Sequence, residues 1–239
     1  MNPTTLSRLL DLNRQFYQTF ALPFSATRSH LQPGVLRILE QLNLSTSLLD
    51  LGCGNGELAR QLAHRGHTGQ YTGLDFSPVL LEQAAAGQLP NFHFFQADLA
   101  SPDWEASLAS AAYDAILAFA VLHHLPGVEL RLQVLSKVRS LLSSGGRFIH
   151  SEWQFLNSPR LNARVQPWEA IGLSQQEVDP GDYLLDWRQG GQGLRYVHHY
   201  SEPELKELAI EAGFEVFDSF LSDGENNRLG IYQVWRANR

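Results

Sequence analysis

Short apolar, β-rich runs alternate with helical patterns from about residue 48 to residue 152. SLLDLG, QYTGLDF, NFHFFQAD, YDAILAFAVL and RFIHSEW read as strands. GELARQLAHRG, SPVLLEQAAAG, SPDWEASLASA and GVELRLQVLSKVRSLLSSGG read as helices, the last stopped by its glycines. Strands separated by helices pair in parallel and need cover on both faces, so the expected class is α/β, with a doubly wound, mainly parallel sheet. Ser77–Pro78 and Ser101–Pro102 each place serine at a helix cap and proline at the first helical position. Near the end, SEPELKELAIEAGF carries a capping box from Ser201 to Glu204. EVFDSFL and IYQVWRA then read as an antiparallel pair closing the sheet.

Two segments lie outside this rhythm. Leu6, Leu9, Leu10, Asn13 and Tyr17 fall at helical spacing, so residues 1–45 are expected to form a helical cap. Residues 154–199 hold Pro159, Pro167, Pro180 and a GGQG turn. That stretch is too long for an ordinary loop, and its aromatics Trp168, Tyr183, Trp187 and Tyr196 favour an ordered lid over disorder. The whole of 1–239 is expected to be one domain.

Bulk properties narrow the function. No apolar run approaches the ~18 residues of a membrane span. The N-terminus has neither the basic start nor the apolar core of a signal peptide. The lone Cys53 excludes an internal disulfide framework and a cysteine-only metal site. These features point to the cytoplasm. A net charge of -7 argues against bulk, non-specific nucleic-acid binding, though not against a local basic mouth. The basic residues are almost all arginine, the side chain suited to bidentate carboxylate or phosphate contacts.

The chemistry concentrates at strand ends. LLDLGCGNGE (Leu48 to Glu57) spaces its glycines as G-x-G-x-G, and Glu57 occupies the slot of the third glycine in the dinucleotide fingerprint G-x-G-x-x-G. A carboxylate there repels phosphates, and so does Asp50. A ligand without phosphates fits, and S-adenosylmethionine is one. Asp75 ends the second strand, where an acidic residue can chelate ribose hydroxyls. Asp98 ends the third, where it can accept from an adenine amino group. His123 and His124 follow the fourth, and Glu152 and Trp153 end the fifth. Adjacent histidines point differently, so His123, His124 and His198 make a poor metal set, and no metal is expected.

LLDLGCGNGE, GLDFS, QADL, YDAILAFAVLHHL and LLSSGGRFIHSEW resemble the successive motifs of class I S-adenosylmethionine-dependent methyltransferases. The resemblance implies a Rossmann-like sheet of seven strands with the last antiparallel. It also implies that Gly52, Gly54 and Gly56 approach the methionine part, with Asp50 beside them. Asp75 would hold the ribose hydroxyls, with Phe76 also at the cofactor; Asp98 and Leu99 would bracket the adenine, and Phe119 or its neighbour Ala118 would line the methyl-donor cleft. FYQTFALPFSATRSHLQPGVLRIL, AVLHHL, DYLLDW and RYVHHYSEPELKELAIEAGFEV are similar to the tRNA wobble-uridine methyltransferases, which esterify 5-carboxymethyluridine. The positions that match are Arg28, His123, His124, Trp153, Arg195, Tyr196, His198 and Tyr200. This second resemblance implies tRNA as a partner and a small zinc-binding activator protein.

The acceptor decides the rest of the kit. A carboxylate is already ionised at neutral pH, with a reference pKa near ~4, and needs cations to place it. Arg28 and Arg195 could do that. Arg28, with Tyr17 as companion, could instead grip the methionine carboxylate of the cofactor. A hydroxyl or amine acceptor needs a base, for which His123 and His124 are candidates. The expected activity is therefore esterification of a carboxylate. A small-molecule O- or N-methyltransferase and a non-catalytic cofactor-binding protein are the alternatives.

Overall fold

β1 (Leu48–Leu51) is only four residues long and is buried along its whole length, so helices must cover both of its faces. The structure, a computed structural model, describes residues 1–27, 30–87, 89–108 and 112–238. Within them β1 pairs in parallel with β2 (Tyr71–Asp75) and with β4 (Tyr113–Phe119). β3 (Phe92–Gln96) adds to β2, and β5 (Leu142–Trp153) adds to β4, both in parallel. β10 (Gly230–Ala237) runs antiparallel to β5, and β9 (Phe214–Ser222) runs antiparallel to β10. The order is β3-β2-β1-β4-β5-β10-β9. It reverses between β1 and β4, which opens a crevice at the carboxyl ends of the strands. This is the Rossmann-like, mainly parallel, seven-stranded sheet that the sequence implies.

The two-residue period of the strands splits the core into two layers. Leu49, Leu51, Ile116, Ala118 and Phe148 pack with Val134, Leu135 and Val138 of α5 (Val128–Leu141). Leu48, Ala115, Leu117 and Ile149 face the other way. They meet Ile38 and Leu39 of α2 (Pro33–Gln41) and Leu58 and Leu62 of α3 (Glu57–His64). α4 (Pro78–Ala85) starts as expected, with Ser77 Oγ accepting from the Leu80 N–H at 3.4 Å.

Two expected elements differ. Residues 101–108 form a run of turns rather than a helix, with i→i+3 bonds from Ala106 to Asp103 and from Leu108 to Glu105. The buried Trp104 plugs into the core, and Lys137 holds both Glu105 and the Pro102 carbonyl. These tertiary contacts override the local Ser-Pro start signal. The helix expected to end at Gly145 and Gly146 stops at Leu141, and SSGG belongs to β5. Gly146 lies so close to β4 that a Cβ would sit 2.9 Å from the Tyr113 carbonyl oxygen. That glycine lets two strands approach; it does not end a helix.

The segment 154–199 is ordered. It contains α6 (Pro159–Asn162) and a second sheet of β6 (Val165–Gln166), β7 (Asp182–Trp187) and β8 (Gly193–His198). This sheet packs on α1 (Pro3–Ala26) through Leu9, Trp168, Leu184 and Tyr196. α1 kinks at Phe20, where φ is -109° and ψ is 17°. Pro23 causes the kink, because it lacks an N–H and crowds the carbonyl one turn back. The β7–β8 turn seats on that kink. A Cβ at Gly193 would lie 2.4 Å from the Phe20 ring, and one at Gly190 would lie 2.6 Å from Pro23. Last in the chain of helices, α7 (Glu202–Glu211) opens with the expected capping box.

Candidate active site

A cleft of about 530 Å³ runs along the carboxyl ends of the parallel strands, beneath α1 and the β7–β8 hairpin. That volume suits a small ligand. Most of the residues singled out in the sequence line it, and they divide between two ends.

At one end, β1 runs into the glycine loop. Gly52 and Gly54 both have positive φ, +71° and +56°. A Cβ at Gly54 would meet nothing within 4 Å, so its backbone is open to the cleft. Gly56 is different. Its Cβ would lie 2.8 Å from Ala84, so it serves the packing of the loop on α4 and does not line the cleft. Asp75 Oδ2 accepts the Gly54 N–H and Oδ1 accepts the Ser77 N–H, each at 2.9 Å. Burial raises the Asp75 carboxyl above its usual range, against the pull of those backbone donors. Phe76 and Leu99 line the same end. Asp98 is also there, but it already has protein partners. Its Oδ1 accepts from Ala100 N at 2.9 Å, and Arg14 reaches Oδ2 at 2.7 Å. No motif marks Arg14, which shares the α1 face of Leu10 and Tyr17 at helical spacing.

Asp50 accepts a hydrogen bond from the Tyr71 hydroxyl at 2.5 Å. Burial lifts its carboxyl to about 7, although the Tyr71 bond works the other way. An unfolded aspartate releases its proton near ~4. Between those values the folded chain holds more protons than the unfolded one, so this group's stabilising contribution is full at low pH and is lost as pH rises through about 7. Buried Asp75 and Glu152 are shifted in the same direction. Asp50→Asn should therefore flatten, without abolishing, the fall in melting temperature with rising pH. Thermal melts of the ligand-free protein across that range read it; a slope equal to the wild type would refute the assignment.

At the other end, Phe119 and Trp153 line the cleft. The Arg195 guanidinium sits over three aromatic rings: Trp153 at 4.8 Å, Phe16 at 5.4 Å and Trp187 at 5.6 Å. All three are within cation–π range. His124 Nε2 meets the Tyr17 hydroxyl at 2.7 Å, and His123 Nδ1 meets Glu152 at 2.8 Å. The other Glu152 oxygen meets His150 Nδ1 at 2.9 Å. Burial pushes Glu152 well up and His150 down to about 3, so His150 is neutral.

Two expected site residues lie elsewhere. His198 is buried behind the cleft wall, with Asp182 on one ring nitrogen at 2.7 Å and Glu204 on the other at 2.6 Å. Tyr200 is fully buried and donates to the Leu122 carbonyl at 3.4 Å. Both belong to a network centred on Arg131, which donates to Leu125 O and to the Tyr196 hydroxyl. Strand parity accounts for this: Arg195 and Val197 face one side of β8, Tyr196 and His198 the other. Arg28 lies outside the described residues.

The donor set suits S-adenosylmethionine. Asp75 at the end of β2 stands where an acidic residue can meet ribose hydroxyls, and the open Gly54 backbone admits a close ligand. The methyltransferase domain family matches residues 25–219. The Encephalitozoon cuniculi protein ECU09_1500, named for a methyltransferase, is 30% identical over 208 residues, covering 85% of this chain and 87% of that one. A trans-aconitate 2-methyltransferase of Streptomyces avermitilis is 39% identical over 80 residues, 34% of this chain and 30% of its own length. The Macaca fascicularis tRNA (carboxymethyluridine(34)-5-O)-methyltransferase ALKBH8 is 30% identical over 143 residues, 58% of this chain but only 19% of its own length. Among solved structures, the DhpI-SAM-HEP complex has a TM-score of 0.67 at 21% identity and covers 95% of this chain and 97% of that one. The complex of the Haloferax volcanii Trm112 methyltransferase activator with a methyltransferase also reaches 0.67, at 15% identity, covering 97% and 98%. The two structural likenesses speak for the fold. No helix among the described residues is long and apolar enough to cross a membrane. With most of its length matched by the family, the chain belongs to the methyltransferase domain family and is an S-adenosylmethionine-dependent methyltransferase.

Proposed function

We propose that the chain methylates a carboxylate oxygen, and that its acceptor is the carboxymethyl group of a modified wobble uridine in tRNA. The observation that carries this reading is Arg195, a permanent cation held by Phe16, Trp153 and Trp187 on the cleft wall. A guanidinium fixed in this way can place an ionised carboxylate with little loss of freedom on binding. Arg160 and Arg164 line the same cleft. Arg188, in contrast, is paired with Asp186 at 2.6 Å and is not part of it. Two relatives carry names that refer to carboxylic acids, trans-aconitate and carboxymethyluridine.

In this reading Gly52 and Gly54 approach the methionine part of S-adenosylmethionine, Asp75 takes the ribose, and Asp98 with Leu99 flanks the adenine. When bound, the cofactor supplies a methyl group on a positively charged sulfur. The protein's task is then alignment and exclusion of water. An ionised carboxylate needs no base, so Arg195 orients it and no proton has to move. tRNA, a small zinc-binding activator protein and a cytoplasmic setting go with this reading, and the Haloferax volcanii neighbour is named as a complex with a methyltransferase activator.

A hydroxyl acceptor is the second reading, and the buried Glu152–His123 pair favours it. Glu152 fixes the His123 ring, as a positioning carboxylate does for a general base. A Chromobacterium violaceum ubiquinone biosynthesis O-methyltransferase is 26% identical over 166 residues.

Methyl-labelled S-adenosylmethionine, offered with tRNA carrying 5-carboxymethyluridine, separates the two. Label in tRNA that mild alkali releases is the expected result, with a dependence on added lysate if an activator is needed. Arg195→Ala should lower acceptor kcat/KM by about tenfold or more while cofactor affinity holds. No label in tRNA under either condition, or an equal loss of cofactor binding in the variant, goes against the carboxylate reading.

A further inference from the structure

The Arg195 end of the cleft also holds a buried acid, Asp223. Asp223 lies in the turn between β9 and β10 and is 6% exposed, yet it lines the same cleft as Arg195. Its Oδ1 accepts the Gly34 N–H at 2.9 Å and its Oδ2 accepts the Tyr232 hydroxyl at 2.6 Å. Neither partner is a cation, and Asp223 makes no ion pair among the described residues. A carboxylate offers about four acceptor positions, so lone pairs remain on both oxygens. Burying them unsatisfied is costly.

Asp223 lines the cleft where glycines let its neighbours pack closely. A Cβ at Gly230 would stand 2.9 Å from Oδ2. A Cβ at Gly34 would collide with the Tyr232 ring at 2.2 Å, so that glycine lets the ring pack in and bring its hydroxyl to Asp223. Nothing in these two bonds requires a charge. Asparagine would accept from Gly34 through its oxygen, and the Tyr232 hydroxyl can rotate to accept from its amide. Asparagine also tolerates the residue's φ of +70°. The charge is therefore surplus to the local structure.

We propose that Asp223 is an acceptor-specificity residue: it selects a methyl acceptor that carries an N–H or O–H donor besides its carboxylate, and it turns away acceptors with a second carboxylate. This rests on the carboxylate reading of the cleft. Arg195 and Asp223 present opposite charges to one ligand. A donor-bearing acid satisfies both, whereas a polycarboxylate meets repulsion at Asp223. The imide N–H of a uracil ring is one such donor.

The test is calorimetric binding to the intact chain saturated with S-adenosylhomocysteine. The probes are 5-carboxymethyluridine and its N3-methyl derivative, uridine and N3-methyluridine, and trans-aconitate. The wild type should bind each N–H compound about tenfold or more tightly than its N-methyl partner. Asp223→Asn should erase that preference and improve trans-aconitate binding, with its melting temperature close to the wild type. Indifference of the wild type to N3-methylation, or a preference that survives in Asp223→Asn, overturns the proposal. So does an absence of binding by all the nucleosides. If uridine shows the preference while the carboxymethyl group adds no affinity, the donor site stands and the carboxylate reading fails. Arg195→Ala that leaves 5-carboxymethyluridine affinity unchanged separates the two in the same way.

Discussion

Replacing Arg131 with methionine is expected to lower the stability of the chain by about 3–5 kcal/mol, the usual cost of removing one member of a buried charged network. For a chain of this length that corresponds to a drop in melting temperature of roughly 10 °C. Arg131 is 3% exposed and stands where three parts of the fold meet. Its Nε donates to the Leu125 carbonyl at 2.8 Å, and Nη2 donates to the Tyr196 hydroxyl at 3.0 Å. Tyr196 passes the contact to Asp182 at 2.7 Å, and Asp182 holds His198, which reaches Glu204 on α7. Methionine keeps most of the volume but leaves a buried carbonyl and hydroxyl with fewer partners and Asp182 without its nearest guanidinium. The network joins the inserted sheet to α5 and α7. Thermal denaturation gives the answer; a melting temperature within about 2 °C of the wild type would show that the network adds little.

Asp75→Ala is expected to weaken S-adenosylmethionine binding by about 100-fold, close to 3 kcal/mol. Two losses combine. On the proposed reading, the ribose hydroxyls lose their acceptor. The Gly54 N–H loses the oxygen that fixes the glycine loop, and the Ser77 N–H loses its partner before α4. Asp75→Asn keeps one backbone acceptor and much of the shape, so its loss should be smaller, about tenfold. Calorimetry on both variants is decisive, and unchanged affinity in Asp75→Ala would sink the ribose assignment.

The two ends of the cleft differ in how legible they were. Asp50, Gly52, Gly54 and Asp75 are close neighbours of strand ends, and strand ends are marked by local pattern. Their meeting follows from a parallel sheet whose carboxyl ends share one edge. The acceptor end gathers residues far apart in sequence. Phe16, Trp153, Trp187 and Arg195 come from α1, β5, β7 and β8. Asp223 and Gly34 are 189 positions apart. No local spacing signals such a pair. Arg131 reads in sequence as an ordinary helix arginine, yet it is buried. Alternation along RYVHHY does separate Arg195 from His198.

Local pattern was enough for the alternation of strand and helix, the winding of the sheet, and the glycine turn that follows β1. Each of these rests on periodicity, capping or turn residues within a few positions of one another. That SPDWEASL forms turns follows from contacts between distant segments, since the burial of Trp104 and the grip of Lys137 outweigh a Ser-Pro cap. Such contacts also decide that SSGG joins β5, because Gly146 must admit the β4 backbone, and that α1 and the inserted sheet roof the cleft. These outcomes depend on contacts between distant segments, whose free energies exceed local preferences of about 1 kcal/mol.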